Sequence, residues 1–140
     1  MIGADSPAVP VVILDSHALL TYFLGEPGSR RVKEVLESAL AGSAKACLSI
    51  MSLGEVAYIV ERRYGLPGAH AALAAVEELP LEVVEAGRDA VLDAAHVKAR
   101  HPISDADAFV VALARSQAGT ILTGDAEFRA VEAIAKIEWL

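Results

Sequence analysis

Short apolar runs alternate with longer amphipathic segments along the chain. The first run, Val11-Val12-Ile13-Leu14, is continuous and rich in β-branched residues, which is typical of a strand buried on both faces of a parallel sheet. Comparable short runs occupy 44–50, 81–84, 120–123 and 137–140. This pattern predicts a sheet of four to five strands whose members come from the whole length of the chain.

The segments between these runs have the apolar periodicity of helices that bury one face. In 29–41, Val32, Val35 and Leu36 fall on one side, and Ser29 is placed to cap the amino end of the helix. The other predicted helices cover 17–24, 52–64, 68–78, 87–100, 104–117 and 127–134.

Strands that alternate with helices predict an α/β domain. Because parallel strands are joined by crossovers that pack on the sheet, we expect a three-layer α/β/α domain around a central, mainly parallel sheet. The chain has 140 residues, which is the size of one ordinary domain, and we assign this domain to 11–140. The segment 1–10 shows no periodicity and contains Pro7 and Pro10, so we expect it to be flexible.

The composition narrows the classes of function. The 12 lysines and arginines against 19 acids give a net charge of −7, so the broad basic surface of many nucleic-acid-binding proteins is absent. A protein with this charge must recruit cations to act on nucleic acid. Its single cysteine, Cys47, excludes an internal disulfide and a thiolate metal site. No apolar run reaches the roughly 18 residues of a membrane span, and no secretory leader opens the chain, so we expect a cytoplasmic protein.

Two carboxylates directly follow predicted strands. Asp15 comes after the first strand, and Asp125 follows the fourth strand across Gly124. Ligand sites in open α/β sheets lie beyond the carboxyl ends of the strands. We therefore expect both side chains to emerge at the same edge of the sheet.

Two further acids lie in the first turns of predicted helices. Glu55 has the apolar Ile59 one turn later, and Asp107 has Val110 and Val111 three and four residues later. A carboxylate at the start of an apolar face is costly unless it is paired or binds a metal. Both positions are therefore candidates for a site that requires acids.

All four acids also stand where helix-capping residues are common. Ser52 begins its predicted helix with Glu55 three residues later, as in a capping box, and Ser104 and Asp107 repeat this spacing. Together, however, four converging acids with no lysine or arginine beside them would repel one another unless a divalent cation neutralised them. Ligands that are all oxygen indicate Mg²⁺ or Mn²⁺ rather than zinc.

Four segments, in their order and spacing, resemble the PIN-domain nucleases, most closely the VapC-type toxins of bacterial and archaeal toxin–antitoxin pairs. They are VVILDSHALLTYF, ACLSIMSLGEVAYIVERR, ISDADAFVVALARSQAGTILTGDAEF and IEWL. The resemblance covers nearly all of the chain after residue 10 and implies a PIN-like fold. It implies that Asp15, Glu55, Asp107 and Asp125 bind Mg²⁺ or Mn²⁺ and cleave RNA, and that Thr123 lines the same pocket.

Asp105 makes the choice of the third acid ambiguous. The family pattern places this acid directly before Ala-Phe, where Asp107 stands. Residues two apart on a helix point about 200° apart, so the two side chains cannot face one pocket equally. We choose Asp107 and keep Asp105 as a secondary candidate. As contacts for RNA phosphate we consider Arg62, Arg63 and Arg115, although arginines on exposed helix faces more often serve only solubility.

The resemblance also implies partners. They are an RNA substrate, a small antitoxin of the VapB type whose extended segment occupies the acidic groove, and a second copy of the chain in a homodimer. Two other classes stay open: a PIN-like RNA-binding or RNA-processing module without a toxin role, and an aspartate-based phosphotransfer domain. The last is disfavoured, because His17 stands where a haloacid-dehalogenase-like phosphatase needs a second aspartate, and no lysine follows the fourth strand as in a receiver domain.

Overall fold

The structure is a computed structural model and describes residues 8–140, so most of the segment predicted to be flexible, 1–10, lies outside the described residues. Five parallel strands form one sheet in the order β3-β2-β1-β4-β5. Their bounds are β1 Val11–Leu14, β2 Lys45–Ser49, β3 Glu82–Val84, β4 Thr120–Thr123 and β5 Lys136–Trp139. The predicted α/β class and parallel sheet are confirmed.

Helices cover both faces of this sheet. They are α1 Ser16–Leu24, α2 Ser29–Leu40, α3 Ile50–Glu77, α4 Arg88–Arg100 and α5 Asp105–Gln117, with a 3₁₀ helix at Ala126–Val131. Side chains alternate along each strand, so Leu14 faces the hydrophobic cluster under α1, α2 and α3, while Ile13 faces the cluster under α4 and α5. Two cores separated by one sheet make the predicted three layers.

The second crossover consists of two helical segments, as predicted from 52–64 and 68–78. The helix α3 is interrupted at Gly65, whose φ of 79° and ψ of 174° are not helical. Pro67 lies two residues after this interruption, and its ring lacks the N–H that a regular helix would need there.

Two predicted caps are wrong. The helix α3 begins at Ile50, and its cap is Ser49, whose Oγ accepts the N–H of Met51 at 3.1 Å. Ser52 therefore lies inside the helix and forms no capping box with Glu55; its buried Oγ has no hydrogen-bond partner among the described residues. Likewise Gly28, rather than Ser29, occupies the cap position of α2. In both cases the chain enters the helix earlier than the serine pattern indicates.

The order of the strands brings two predicted acids together. β1 pairs with β4 at the centre of the sheet, with Leu14 opposite Leu122. Asp15 and Asp125 follow these two strands, so both lie at the carboxyl edge, as expected. Within residues 8–140, no helix combines the length and hydrophobicity needed to cross a membrane.

Candidate active site

Asp15 joins the two central strands. It is only 1% exposed, and its Oδ1 accepts the backbone N–H of Ala18 at 2.8 Å. Its Oδ2 accepts a hydrogen bond from the hydroxyl of Thr123, the last residue of β4. Asp15 therefore caps α1 and links the ends of β1 and β4. This structural role does not exclude a second role as a metal ligand.

Thr123 connects Asp15 with Asp125. Its Oγ1 donates to Asp15 and accepts the backbone N–H of Asp125 at 2.9 Å. The Oδ1 of Asp125 in turn accepts the N–H of Glu127 at 2.9 Å and caps the 3₁₀ helix. A continuous chain of hydrogen bonds thus orders the acids that follow β1 and β4, with Thr123 at its centre.

Asp107 completes a compact group of acids. It lies in the first turn of α5 and is 4% exposed, and its N–H donates to Oγ of the cap residue Ser104 at 3.3 Å. Asp107, Asp125 and Glu127 each offer one carboxylate oxygen, and these three oxygens lie within 4.8 Å of one another. The carboxylate of Glu127 also accepts the N–H of Ser104, so Glu127, not Asp107, takes the reciprocal place of the capping box.

The environment of these acids disfavours their charged forms. Burial, and after it the neighbouring carboxylates of Glu127, Asp15, Asp125 and Glu55, together raise the pKa of Asp107 to about 8. Burial also raises the pKa of Asp15 to about 6, although its hydrogen bonds from Thr123 and Ala18 oppose this shift. All five carboxylates therefore belong to one interacting group.

Glu55 approaches this group from α3. Its Oε1 accepts a hydrogen bond from the hydroxyl of Ser16, the first residue of α1. A groove of about 580 Å³ opens beside it and is lined by Glu55, Met51, Tyr58 and Asp105, among others. Ser16 was not among the predicted site residues, yet it holds Glu55 on the side that faces α1.

Residues 12–134 match the family model described as PIN domain. The chain belongs to the PIN domain family. The match includes every predicted acid and excludes only the two ends of the chain. No curated protein matches the chain significantly.

Solved structures share the fold of this PIN domain. The VapC20 toxin of Mycobacterium tuberculosis, described as cleaving the sarcin-ricin loop, is 21% identical, with 86% of this chain and 94% of that chain covered and a TM-score of 0.67. VapBC2 of Rickettsia felis, bound to a promoter DNA fragment, is 16% identical, with 91% and 97% covered and a TM-score of 0.72. The DNA-bound VapBC of Salmonella typhimurium is 20% identical, with 94% and 98% covered and a TM-score of 0.70. At these identities the likeness shows the fold.

Asp105 lies apart from the buried acids of the PIN domain. Its side chain is 75% exposed, and its Oδ1 lies 2.9 Å from Nζ of Lys98 on α4. Asp107 and Asp105 thus point in different directions from one helical turn, as their spacing predicts. Asp105 lines the groove beside Glu55 but does not belong to the three-oxygen cluster.

The arginines considered for RNA lie in different places. Arg62 stacks over Tyr58, a residue of the groove that Glu55 lines, with its guanidinium carbon 4.9 Å from the ring centroid. Arg63 stacks over Tyr64 at 5.4 Å, farther along α3. Arg115 lies in the last turn of α5, about 12 Å along the helix axis from the first-turn acids. Of these three arginines, Arg62 is the one that stacks on a residue of the groove.

Glu127 is the acid that the sequence analysis missed. It stands two residues after Asp125 and was predicted only as the first residue of the helix 127–134. The signal that could have found it is the Asp-x-Glu spacing directly after a strand, because a capping aspartate receives the N–H of the residue two positions on and so fixes that residue near the edge.

His17 packs against the glycine between Thr123 and Asp125. The Nδ1 of His17 accepts the N–H of Gly124 at 3.3 Å. A Cβ placed on Gly124 would lie 2.5 Å from Cε1 of His17, closer than real side chains approach. Any larger residue at position 124 therefore requires the exposed ring of His17 to move, whereas the φ of Gly124 does not lie in the left-handed region.

The donor set of the PIN domain suits a hard divalent cation. The clustered ligand atoms come from Asp107, Asp125 and Glu127, and all are carboxylate oxygens, the ligands that Mg²⁺ and Mn²⁺ prefer. Within residues 8–140, no lysine or arginine forms an ion pair with these acids, with Asp15 or with Glu55. Asp15 and Asp107, which are buried, have raised pKa values and lack a cationic partner among the described residues, are therefore suited to a metal site.

Proposed function

We propose that this PIN domain is an endoribonuclease that depends on Mg²⁺ or Mn²⁺ and is the toxin of a VapBC-type toxin–antitoxin pair. The observation that carries the proposal is the group of acids at the carboxyl edge of the sheet, which are held together without a lysine or arginine partner in the described chain. Structural stability alone does not favour such a group, because burial and mutual repulsion both raise its free energy.

The proposed metal ligands are Asp15, Glu55, Asp107 and Asp125, to which we add Glu127. When bound, the cation supplies charge neutralisation and lowers the pKa of a water that attacks the phosphodiester. Thr123 orients Asp15 and fixes the backbone of Asp125, and the hydroxyl of Ser16 orients Glu55. Release of the proton from the carboxyl of Asp107 accompanies metal binding, because only the charged form is a good ligand.

We propose RNA as the substrate because the PIN domain family consists of nucleases and because VapC20, with the same fold, is described as a toxin that cleaves the sarcin-ricin loop. The acidic surface of the chain, with its net charge of −7, gives no electrostatic attraction for a long duplex. An exposed single strand that reaches the acids through the groove beside Glu55 fits this surface better.

We propose a small antitoxin of the VapB type as a partner, since several structures with this fold are toxin–antitoxin complexes. Its extended segment would place an arginine against Asp15 and Asp125, where the guanidinium would take the position of the metal. We further propose that the chain forms a homodimer and that the pair resides in the cytoplasm. We also propose that Arg62, Arg63 and Arg115 contact RNA.

Cleavage by the purified protein tests the enzymatic part. A mixed-sequence single-stranded RNA and bacterial total RNA should be cleaved with Mg²⁺ or Mn²⁺ and left intact with EDTA. The Asp107→Asn variant should be inactive, and Asp105→Asn, a change of the same kind two residues away, should remain active. A folded wild-type protein that cleaves neither RNA with either metal would overturn the nuclease proposal.

Expression in bacteria tests the toxin part separately. Growth should stop when the wild-type protein is produced alone and should continue when Asp107→Asn is produced at the same level. Growth that is unharmed by an active wild-type nuclease would reject the toxin role and leave the nuclease role standing.

A further inference from the structure

Trp139 lies one strand away from the candidate active site. In the register of the sheet, Trp139 of β5 is opposite Thr123 of β4. The next residue, Leu140, donates its N–H to the carbonyl of Thr123 at 2.9 Å. Neighbouring strands are about 4.8 Å apart, so the backbone of Trp139 lies beside the residue that links Asp15 with Asp125.

The indole of Trp139 is on the same face of the sheet as the acid cluster. Side chains alternate along β5, and Ile137 packs against the hydrophobic cluster that contains Phe128 of the 3₁₀ helix. Leu140 packs against the opposite cluster. Trp139 therefore shares the face of α5 and the 3₁₀ helix, the elements that carry Asp107 and Glu127.

Part of the indole of Trp139 is exposed to solvent. Trp139 is 38% exposed, and β5 is the edge strand of the sheet among the described strands. The guanidinium carbon of Arg129 lies 5.9 Å from the centre of the Trp139 ring system. Arg129 is exposed and forms no ion pair with a described residue, although the acidic Glu127 is only two positions away.

We propose that Trp139 and Arg129 form a stacking platform that holds one base of a single-stranded RNA next to the phosphodiester to be cleaved. The inference takes its substrate class from the proposed function. A base stacks on an aromatic ring without regard to its identity, and an adjacent guanidinium contacts the phosphate of the same nucleotide.

The charge of the protein explains why such a platform is needed. The chain carries a net charge of −7, so general attraction of phosphate is absent. Stacking on an indole binds the uncharged part of a nucleotide and does not depend on that attraction.

The chain has a single tryptophan, which makes its fluorescence a specific reporter of the platform. The Asp107→Asn protein, which should not cleave, is titrated with a 12-nucleotide single-stranded RNA of mixed sequence. Stacking should quench the fluorescence of Trp139. The same ribose-phosphate backbone with abasic positions should quench much less at equal saturation, because it has no rings to stack.

Substitutions measure how much the platform contributes to binding. In the Asp107→Asn background, Trp139→Ala should weaken binding of the labelled RNA about tenfold, while Trp139→Phe should retain part of it. Leu40→Ala is the control, since Leu40 is a large, exposed apolar residue at the end of α2, which leads into the start of β2 and so lies away from the carboxyl edge of the sheet. It should leave RNA binding unchanged.

The outcomes separate this inference from the proposed nuclease function. Quenching by RNA in a protein whose parent shows no cleavage would support the platform and reject the nuclease. Metal-dependent cleavage without quenching, together with unchanged RNA binding by a folded Trp139→Ala protein, would overturn the platform and leave the nuclease intact. Equal quenching by the abasic strand would also overturn it. If only an antitoxin segment, and not RNA, altered the fluorescence, the surface would be a protein contact and the inference would be wrong.

Discussion

Two aspartates in the first turn of α5, Asp105 and Asp107, differ in burial and in the charges around them. Asp105 is 75% exposed and lies 2.9 Å from the ammonium of Lys98. Asp107, two residues later, is 4% exposed, faces other carboxylates and has its pKa raised to about 8. The two residues share a helix, a cap and a residue type, so the difference comes only from the direction in which each side chain points.

This contrast shows how a site differs from ordinary surface electrostatics. The Asp105–Lys98 pair is an exposed ion pair of a kind that contributes little and costs little. Burial of the charged form of Asp107 costs free energy, and the neighbouring carboxylates of Glu127, Asp15, Asp125 and Glu55 increase that cost by repulsion. Such an unfavourable group is expected where a bound ligand offsets its free energy. For this reason Asp107, and not Asp105 with its ion pair to Lys98, indicates a functional site.

The largest expected difference between the two aspartates is in catalysis. Asp107→Asn should reduce RNA cleavage by more than about 100-fold, because loss of a direct metal ligand should exceed the effect of losing an outer contact. Asp105→Asn should keep most of the activity. Rates of cleavage of one labelled RNA at saturating Mg²⁺ measure both. Loss of cleavage in Asp105→Asn with retention in Asp107→Asn would invert the assignment.

The second difference is in stability without metal, and it depends on pH. The pKa of Asp107 is higher in the folded protein, about 8, than its ordinary value of 3.8. The folded state therefore keeps a proton that the unfolded chain has released, so this group's contribution to the free energy of unfolding is lost as the pH rises from about 4 to about 8. Asp15, with a pKa of about 6, acts in the same direction over a narrower range.

The Asp107→Asn variant removes this loss. In EDTA, its Tm should equal or exceed that of the wild type, and the difference should grow between pH 4 and pH 8 and then level off. Melting curves at intervals of one pH unit measure this. A marked fall in the Tm of the variant at every pH would show that Asp107 mainly supports the helix start at Ser104, and would contradict the prediction.

The third difference is in the response to metal. A ligand that binds only the folded state stabilises it, by about 2.7 kcal/mol at 100 times its Kd. Excess MgCl₂ or MnCl₂ should raise the Tm of the wild type and of Asp105→Asn by several degrees and leave Asp107→Asn nearly unchanged. Equal shifts in all three proteins would mean that the cation binds elsewhere.

The smallest expected effect is the change in protein stability when the exposed ion pair between Asp105 and Lys98 is removed. Asp105→Asn should change the free energy of unfolding by less than about 1 kcal/mol, as is typical of exposed ion pairs. Lys98→Met should cost more, because Nζ of Lys98 also donates to the carbonyl of Ile103 at 3.1 Å in the connection between α4 and α5. Urea denaturation of both variants measures the contrast, and equal losses would assign the whole effect to the ion pair.

The strands and the acids could be predicted because they depend on local pattern. The run before Asp15 and the run before Thr123 are apolar enough to define central strands, and strand ends in a parallel sheet define the edge where ligands bind. Helix geometry showed that Asp105 and Asp107 cannot face one pocket equally, and the apolar residues three and four positions after Asp107, with the family pattern before Ala-Phe, favoured Asp107; the burial of the two residues agrees with that choice.

Other features depend on contacts between distant segments and could not be predicted. The cap of α3 is Ser49 rather than Ser52, and both serines have suitable spacing, so only the end of β2 decides between them. The Asp-x-Glu spacing could have pointed to Glu127, but the direction of its carboxylate also depends on the N–H of Ser104, 23 residues earlier in the chain, which donates to it. The bond from Ser16 to Glu55 likewise spans 39 residues.

The contact between His17 and Gly124 has an evolutionary consequence. Since the imidazole occupies the space that a Cβ at Gly124 would need, the two positions form a steric pair across 107 residues of sequence. A relative with a small residue in place of His17 has room for alanine or serine in place of Gly124, whereas a relative that keeps the histidine has room for a Cβ only if the imidazole turns away and loses its hydrogen bond from the N–H of residue 124. We therefore expect the two positions to change together among homologues, so that the glycine of the Thr-Gly-Asp segment records the identity of a residue at the start of α1.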